Sequence, residues 1–506
     1  MSKIVALLFF FAAPITVNSQ IFPKEGSLLN YRIIGFSFPQ VPEAKAYKIE
    51  IAKGNYTRVD SFTKNIIQYA DSKDNRLIME VPAFGSEYTW RVVYKVKQKT
   101  ESTPLYHFMT LMNDHVDTNK LHLRILQAAA DQYRDDYVSV DAGGVLYDMS
   151  GRPVWFIPDT NGIGGNVVDL KFTRDGTITF FFKTACEINY NGDILWRAPN
   201  NGAISGDSAR GEFYHHEFTK LSNGHYMTLG TQPVMCKLIS VKDSSYVIFS
   251  NDKIEQNGYK RARFGTIIEY NENGKVLWSW LSSKYIKGPD FDYYESQIDS
   301  IKRFDPHDNA FFFDEKNKCV YLGFRNLNRI YKIDYPSGNI LSIYGESFRP
   351  GVSGIGENLF CNQHSIGRTQ DGYLYIFNNN SCQLTDSLPT VVIFQEPMSD
   401  NDSIKKIWEY VCTVDGFFPK YSRKTFGSGG NAIELPDQSL FVNMGSEYSK
   451  LFIVNRDKKI LWSALTERFM ETDQKWTPIH EYRANIISRK DLERLIWKAE
   501  SSNQTH

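Results

Sequence analysis

From residue 21 to about 110, apolar and polar positions alternate in short runs such as Tyr47-Lys-Ile-Glu-Ile-Ala and Tyr88-Thr-Trp-Arg-Val-Val-Tyr, separated by polar turns. A period of two over so few residues belongs to half-buried strands. The spacing predicts a small N-terminal β-sandwich of the fibronectin-III or immunoglobulin-like kind over residues 20–112, with Trp90 and Tyr94 facing its core. No set of ionisable side chains converges there, so packing or assembly is the expected role.

After a linker at 113–135, a different pattern begins and repeats. A turn glycine is followed four residues later by tryptophan at Gly151/Trp155, Gly192/Trp196 and Gly274/Trp278. Degenerate copies stand at Tyr335-Pro-Ser-Gly-Asn-Ile-Leu-Ser342, Ile404-Lys-Lys-Ile-Trp408 and Lys458-Lys-Ile-Leu-Trp462, which makes six units. Each unit supplies strands around a hairpin but cannot bury its faces alone, and spacings of roughly 40 to 80 residues suit four-stranded blades. The expected fold is all-β: a six-bladed β-propeller over residues 136–506. The tryptophans are read as packing between blades, and the long interval from Trp196 to Trp278 as an insertion.

Composition narrows the function classes. Lys+Arg and Asp+Glu both number 58, so no bulk field attracts nucleic acid or an anionic membrane. Aromatics at 14% and 34 glycines agree with turn-rich β structure. The apolar run Ile4 to Val17 before Val17-Asn18-Ser19 reads as a signal peptide over residues 1–19, and no later run is long enough to span a bilayer. An exported, periplasmic or secreted protein follows. Six cysteines lack the close pairs that hold zinc; Cys361 and Cys382 bracket one strand-turn segment and are a candidate disulfide, with buried free thiols as the alternative.

The repeat also supplies a ruler for chemistry, because one register in different blades converges on the axis. His216 lies eight residues before Gly224 and His364 eight before Gly372. His307 precedes Asn317 by ten, in a blade whose turn is two residues longer. Val168 and Gly430 hold the place in other blades. Three converging imidazoles suit covalent group transfer or a transition-metal site. Arg325, on the strand returning from His307, brings a fixed cation that would repel a metal, and its fork fits a tetrahedral oxyanion, as does an amide donor at Asn309.

In Tyr214-His-His-Glu-Phe, in His307-Asp-Asn-Ala followed by Gly-Phe-Arg325, and in Asn362-Gln-His364 with Asp371-Gly372, the chain resembles the bacterial arylsulfate sulfotransferases. The resemblance runs over nearly the whole mature chain. It implies a sulfuryl transfer from an aryl sulfate ester to a phenolic acceptor, with no cofactor and no nucleotide sulfate donor. By the same resemblance His364 is the nucleophile that becomes sulfated, Arg325 and Asn309 hold the sulfuryl oxygens, and His216 and His307 serve the phenolic oxygens. His215 is the alternative to His216, since a one-residue slip exchanges strand faces. Two features depart from the pattern: Phe377-Asn-Asn-Asn stands where an acidic residue is common, and the fourth blade lacks its tryptophan. Insertions at 197–214 and 282–303 would set specificity, and relatives offer the sandwich as a dimerisation element. The rival readings are a non-catalytic propeller that binds a sulfated or phenolic ligand, and a metal- or quinone-dependent propeller oxidoreductase or lyase.

Overall fold

The turn glycines adopt the conformation their spacing requires. Gly151, Gly192, Gly274 and Gly338 take φ of +86°, +90°, +75° and +78°, a region glycine enters at no steric cost. Their N–H groups close onto the carbonyls of Asp148, Asn189, Asn271 and Asp334. Lys458 performs the same closure onto Asn455 with φ +67°.

The computed structural model describes residues 21–159, 167–238, 247–250, 260–286, 290, 303–348, 351–382, 388–399, 402–414, 428–445 and 448–502. The proposed signal peptide and most of the 282–303 insertion lie outside the described residues. Among the described residues no helix is long and apolar enough to cross a membrane. The chain divides into two compact units, 1–111 with 500–506, and 112–499.

In the first unit, strand Ser86–Val96 lies between Tyr47–Lys53 and Tyr106–Thr110 in a six-stranded sheet. Strands Ile33–Ser37 and Arg76–Glu80 form a second sheet of two. The two share a core in which Phe36 meets Trp90 edge-on at 4.9 Å and Phe108 at 6.1 Å. Trp90 is fully buried, whereas Tyr94 is half-buried against Tyr47.

Among the described residues the second unit holds six sheets, each built on four antiparallel strands, three of them simple up-and-down meanders of consecutive strands. The first is completed by the end of the chain: Ala484–Ile487 pairs with Tyr137–Val140. The leading strands Ala484–Ile487, Val168–Phe172, Tyr214–Lys220, Asp308–Asp314, His364–Arg368 and Asn431–Glu434 lie against one another in that order.

Indole N–H groups tie four of the sheets to the next. Trp155 donates to the Tyr190 carbonyl at 2.7 Å, Trp278 to Pro336 at 2.8 Å, Trp408 to Arg456 at 2.8 Å and Trp462 to Met149 at 3.1 Å. The last of these returns from the sixth sheet to the first, which makes the arrangement propeller-like. Trp196 instead stacks on Tyr226 at 3.9 Å. In the fourth sheet, which lacks the tryptophan, the Tyr344 hydroxyl reaches Glu396 of the fifth at 2.7 Å. Trp155 and Trp462 are fully buried, so truncating either to alanine costs about 3–5 kcal/mol.

The interval from Trp196 to Trp278 enlarges the third sheet. Its strands Tyr226–Leu238 and Lys260–Tyr270 form a long hairpin, edged by the short strands Val247–Ser250 and Arg303–Phe304. The segment expected to be a linker needs correction. Leu121–Gln127 within it is a strand paired with Ile460–Met470 of the sixth sheet, and it buries Leu121 and Leu123. It has no turn glycine beside it, so the repeat pattern does not reveal it.

Candidate active site

Four leading strands break register near their first residues, at Val168/Lys171, His215/Phe218, Asp308/Ala310 and His364/Ile366. A non-glycine residue takes left-handed backbone at or beside each break: Asp169 at +61°, His216 at +61°, His307 at +59° and Ser365 at +54°. Such conformations cost on the order of 1–3 kcal/mol and persist only where surrounding structure enforces them. Here they re-aim side chains at the starts of the strands.

The break at His216 removes the choice between His215 and His216. In regular strand, successive side chains face opposite ways. Here the two imidazoles meet, with Nδ1 atoms 2.7 Å apart and ring centroids 4.8 Å apart. His216 then lies 4.9 Å from the His307 ring and 5.6 Å from that of Tyr482. His215 turns its Nε2 toward the Asp308 carboxylate, 3.9 Å away.

His364 is 1% exposed. Its Nδ1 lies 2.5 Å from Asn379 Oδ1, and the Gly429 N–H donates to its Nε2 at 3.2 Å. An amide oxygen can only accept, so Nδ1 carries the hydrogen and Nε2 the lone pair. Asn379 Nδ2 also donates to the Gly429 carbonyl at 3.1 Å, which fixes the amide orientation. The Tyr482 ring lies 6.1 Å from that of His364.

Burial, then the cations Arg325 and Arg483, hold the His364 imidazolium well below its ordinary range. Burial, then His215 and His307, does the same to His216. His215 is pushed down to about 4, first by burial and then by His307. All three are therefore neutral at neutral pH.

Arg325 begins a short 3₁₀ turn, Arg325–Leu327. Its backbone N–H donates to the His307 carbonyl at 2.9 Å, and its carbonyl accepts from Asn362 Nδ2 at 3.1 Å. One residue thus links His307 to the approach of His364. The Arg325 guanidinium donates to Asn326 Oδ1 at 2.8 Å.

Asn309 lies near the start of the leading strand Asp308–Asp314. It is 0% exposed, and its amide donates to the Gln363 carbonyl at 2.8 Å. That bond ties Asn309 to the residue before His364, while its Oδ1 has no hydrogen-bond partner among the described residues.

The disulfide Cys361–Cys382 joins the segments that carry His364 and Asn379. Cys186, Cys236, Cys319 and Cys412 are buried free thiols. Among the described residues no group of three or more His, Cys, Asp or Glu side chains could hold a metal ion.

Several neighbours of the histidines escape the repeat register altogether. Arg483, 2% exposed, donates to the carbonyls of Gly430 at 2.7 Å and Asn309 at 3.2 Å and approaches Glu217 at 3.4 Å. Its backbone N–H reaches Asp141 at 3.1 Å. It therefore bolts four sheets together behind the imidazoles. Tyr482 and Gly429 come from connections between sheets, where no periodic signal points to them. Asn379 was visible only as part of the unexpected Asn run.

A family model described as arylsulfotransferase (ASST) matches residues 93–410, more than half of the chain. That stretch includes the four histidines, Arg325 and Asn379, and ends before Gly429, Tyr482 and Arg483. No curated protein matches the chain. Similar solved structures include a protein of unknown function from Bacteroides caccae, at 13% identity and TM-score 0.40 over 70% of this chain and 99% of that one. Another is the dihydro-heme d1 dehydrogenase NirN in complex with DHE, at 10% identity and TM-score 0.31 over 74% and 78%. A third is the Pseudomonas aeruginosa periplasmic gluconolactonase PpgL, at 7% and 0.29 over 88% and 99%. At such scores these likenesses carry no argument. The family match and the residues it spans do: the chain belongs to the arylsulfotransferase family.

Proposed function

We propose that this protein transfers a sulfuryl group from an aryl sulfate ester to a phenolic acceptor through a sulfated His364. The observation that carries the reading is the setting of His364: a neutral imidazole whose Nδ1–H is fixed by Asn379, leaving the Nε2 lone pair as the attacking electrons. Only the neutral ring is a nucleophile. Attack requires Nε2 to give up the Gly429 N–H, one long neutral hydrogen bond worth about 1 kcal/mol. That N–H is then at hand for a sulfuryl oxygen.

Sulfuryl transfer resembles phosphoryl transfer in its loose, in-line geometry, so the protein's tasks are positioning and charge stabilisation. Arg325 supplies the fixed positive charge for the peripheral oxygens. His216 and His307, whose rings touch, stand for the phenolic oxygen as proton donor in the first half-reaction and acceptor in the second. Asn309 acts through Gln363, holding the strand that bears the nucleophile. No cofactor is required.

The same reading takes the second unit as a six-bladed propeller and the first as a β-sandwich that mediates dimerisation. It takes residues 1–19 as a signal peptide delivering the protein to the periplasm or outside, where the Cys361–Cys382 bridge forms.

Incubation with a chromogenic aryl sulfate and phenol tests the function. Arylate release that depends on phenol, with the sulfuryl group recovered on phenol, is expected. Release that ignores phenol and yields inorganic sulfate would replace transfer with hydrolysis.

A further inference from the structure

Asp308 occupies an unusual place for a carboxyl group. It is 4% exposed and its Oδ2 finds no hydrogen-bond partner. A Cβ on Gly265 would fall 2.0–2.2 Å from the carboxyl atoms. Gly265 lies within the extended strand Lys260–Tyr270, paired with Thr231, so glycine is needed there for space. The neighbouring sheet thus leaves a gap shaped for this acid, and the acid faces His215, which is hydrogen-bonded to His216.

We propose that Asp308, His215 and His216 form a proton relay that supplies the leaving phenolic oxygen in the first half-reaction and takes the proton back from the acceptor in the second. The inference rests on the sulfuryl-transfer reading above. Asp308 does not touch substrate; it acts through the two imidazoles.

The resting protonation fits. Burying an unpaired carboxylate is costly enough that the group neutralises instead. Burial, then Asp305, raises Asp308 well above the usual carboxylate range, while both imidazoles are held neutral. The charged and titratable groups facing the pair are His307, Asp305 and Arg263 around His215, and His307, His364 and Arg483 around His216. At rest the proton sits on Asp308, the His215 Nδ1–H donates to the His216 Nδ1 lone pair, and His216 carries its single ring hydrogen on Nε2. The 3.9 Å from Asp308 to His215 exceeds a hydrogen bond and closes by a small side-chain rotation or through one water.

The step balances. His364 Nε2 forms the N–S bond as the S–O bond to the aryl group breaks, and the leaving oxygen takes the Nε2 proton of His216. His215 passes its Nδ1 proton to His216 and receives the Asp308 proton on Nε2. Phenol leaves neutral, Asp308 becomes a carboxylate, and both relay imidazoles remain neutral as the opposite tautomers. The incoming phenol reverses every transfer, so the cycle ends with no net proton exchanged with water.

The test compares wild type, Asp308→Asn and Gly265→Ala on a series of aryl sulfates running from para-nitrophenyl sulfate to phenyl sulfate. Asparagine keeps the shape but cannot give a proton; alanine at 265 displaces the carboxyl without changing it. General acid catalysis is worth about 10²–10⁴-fold where the leaving group needs the proton. Both variants should therefore lose about 10²-fold in kcat/KM on phenyl sulfate, and little on the nitrophenyl ester, whose anion leaves unaided. Equal losses across the series, or no loss, in both folded variants would overturn the relay. Wild type inactive toward every member would instead overturn the sulfuryl-transfer reading itself.

Discussion

Asn379 Oδ1 accepts the Nδ1–H of His364 at 2.5 Å, so an uncharged amide orients the imidazole of this site. A carboxylate in that position would stabilise the imidazolium; the amide fixes the tautomer while leaving the ring neutral.

Asn379→Asp should therefore raise the His364 pKa, because the added negative charge favours the protonated ring. The neutral fraction, and activity with it, then disappears at a higher pH as the solution is acidified. The pH profile of kcat/KM measures this as an acid limb shifted upward. Asn379→Ala frees the ring and should cost about 10²-fold, the scale of a small misplacement of a reacting group. An unchanged acid limb in the aspartate variant would remove Asn379 from the mechanism.

Arg325→Lys keeps the charge but replaces a planar fork with a point. Losing one preorganised donor to a developing anion costs about 10²–10³-fold. A loss of about 10²-fold in the burst of arylate is expected, with the second half-reaction slowed as well, because both pass through the same sulfuryl oxygens.

Asp308→Asn should stabilise the fold, and the sign follows from linkage. The folded pKa of Asp308 is raised, so its contribution is complete below the unfolded value near 3.9 and is lost as pH rises toward the folded one. The variant should gain in thermal midpoint over wild type at pH 7 and show a smaller difference near pH 4. Midpoints measured at the two pH values check this; a variant less stable at pH 7 would mean that the carboxylate is paired.

How much of this was legible in the chain depends on what repeats. The glycine and tryptophan positions were legible because most of the sheets use the same left-handed turn and four of them the same indole donor. The register of His216, His307 and His364 followed from that ruler. The ruler pointed to His216, with His215 the alternative if the strand slipped by one residue; it counts residues but not bulges, and the left-handed backbone at His216 brings both rings together. Asn309 suggested a donor to a ligand, yet whether a side chain points along the stack or into the site depends on the break beside it. Arg483, Tyr482 and Gly429 lie outside the repeat, and the strand Leu121–Gln127 has no turn glycine to mark it.

Cys361 and Cys382 stand 21 residues apart and close the segment between His364 and Asn379. Replacing both with alanine should cost about 2–4 kcal/mol in unfolding free energy. Denaturant unfolding of the oxidised wild type and the variant measures it; equal midpoints would mean that the bridge does not support this part of the fold.

Mass spectrometry of peptides from enzyme quenched with aryl sulfate in the absence of acceptor is the most direct measurement. A sulfuryl adduct should appear on His364, vanish when phenol is added, and be missing from His364→Asn. Turnover without an adduct, or an adduct on His216 or His307 instead, would contradict the assignment of His364 as nucleophile.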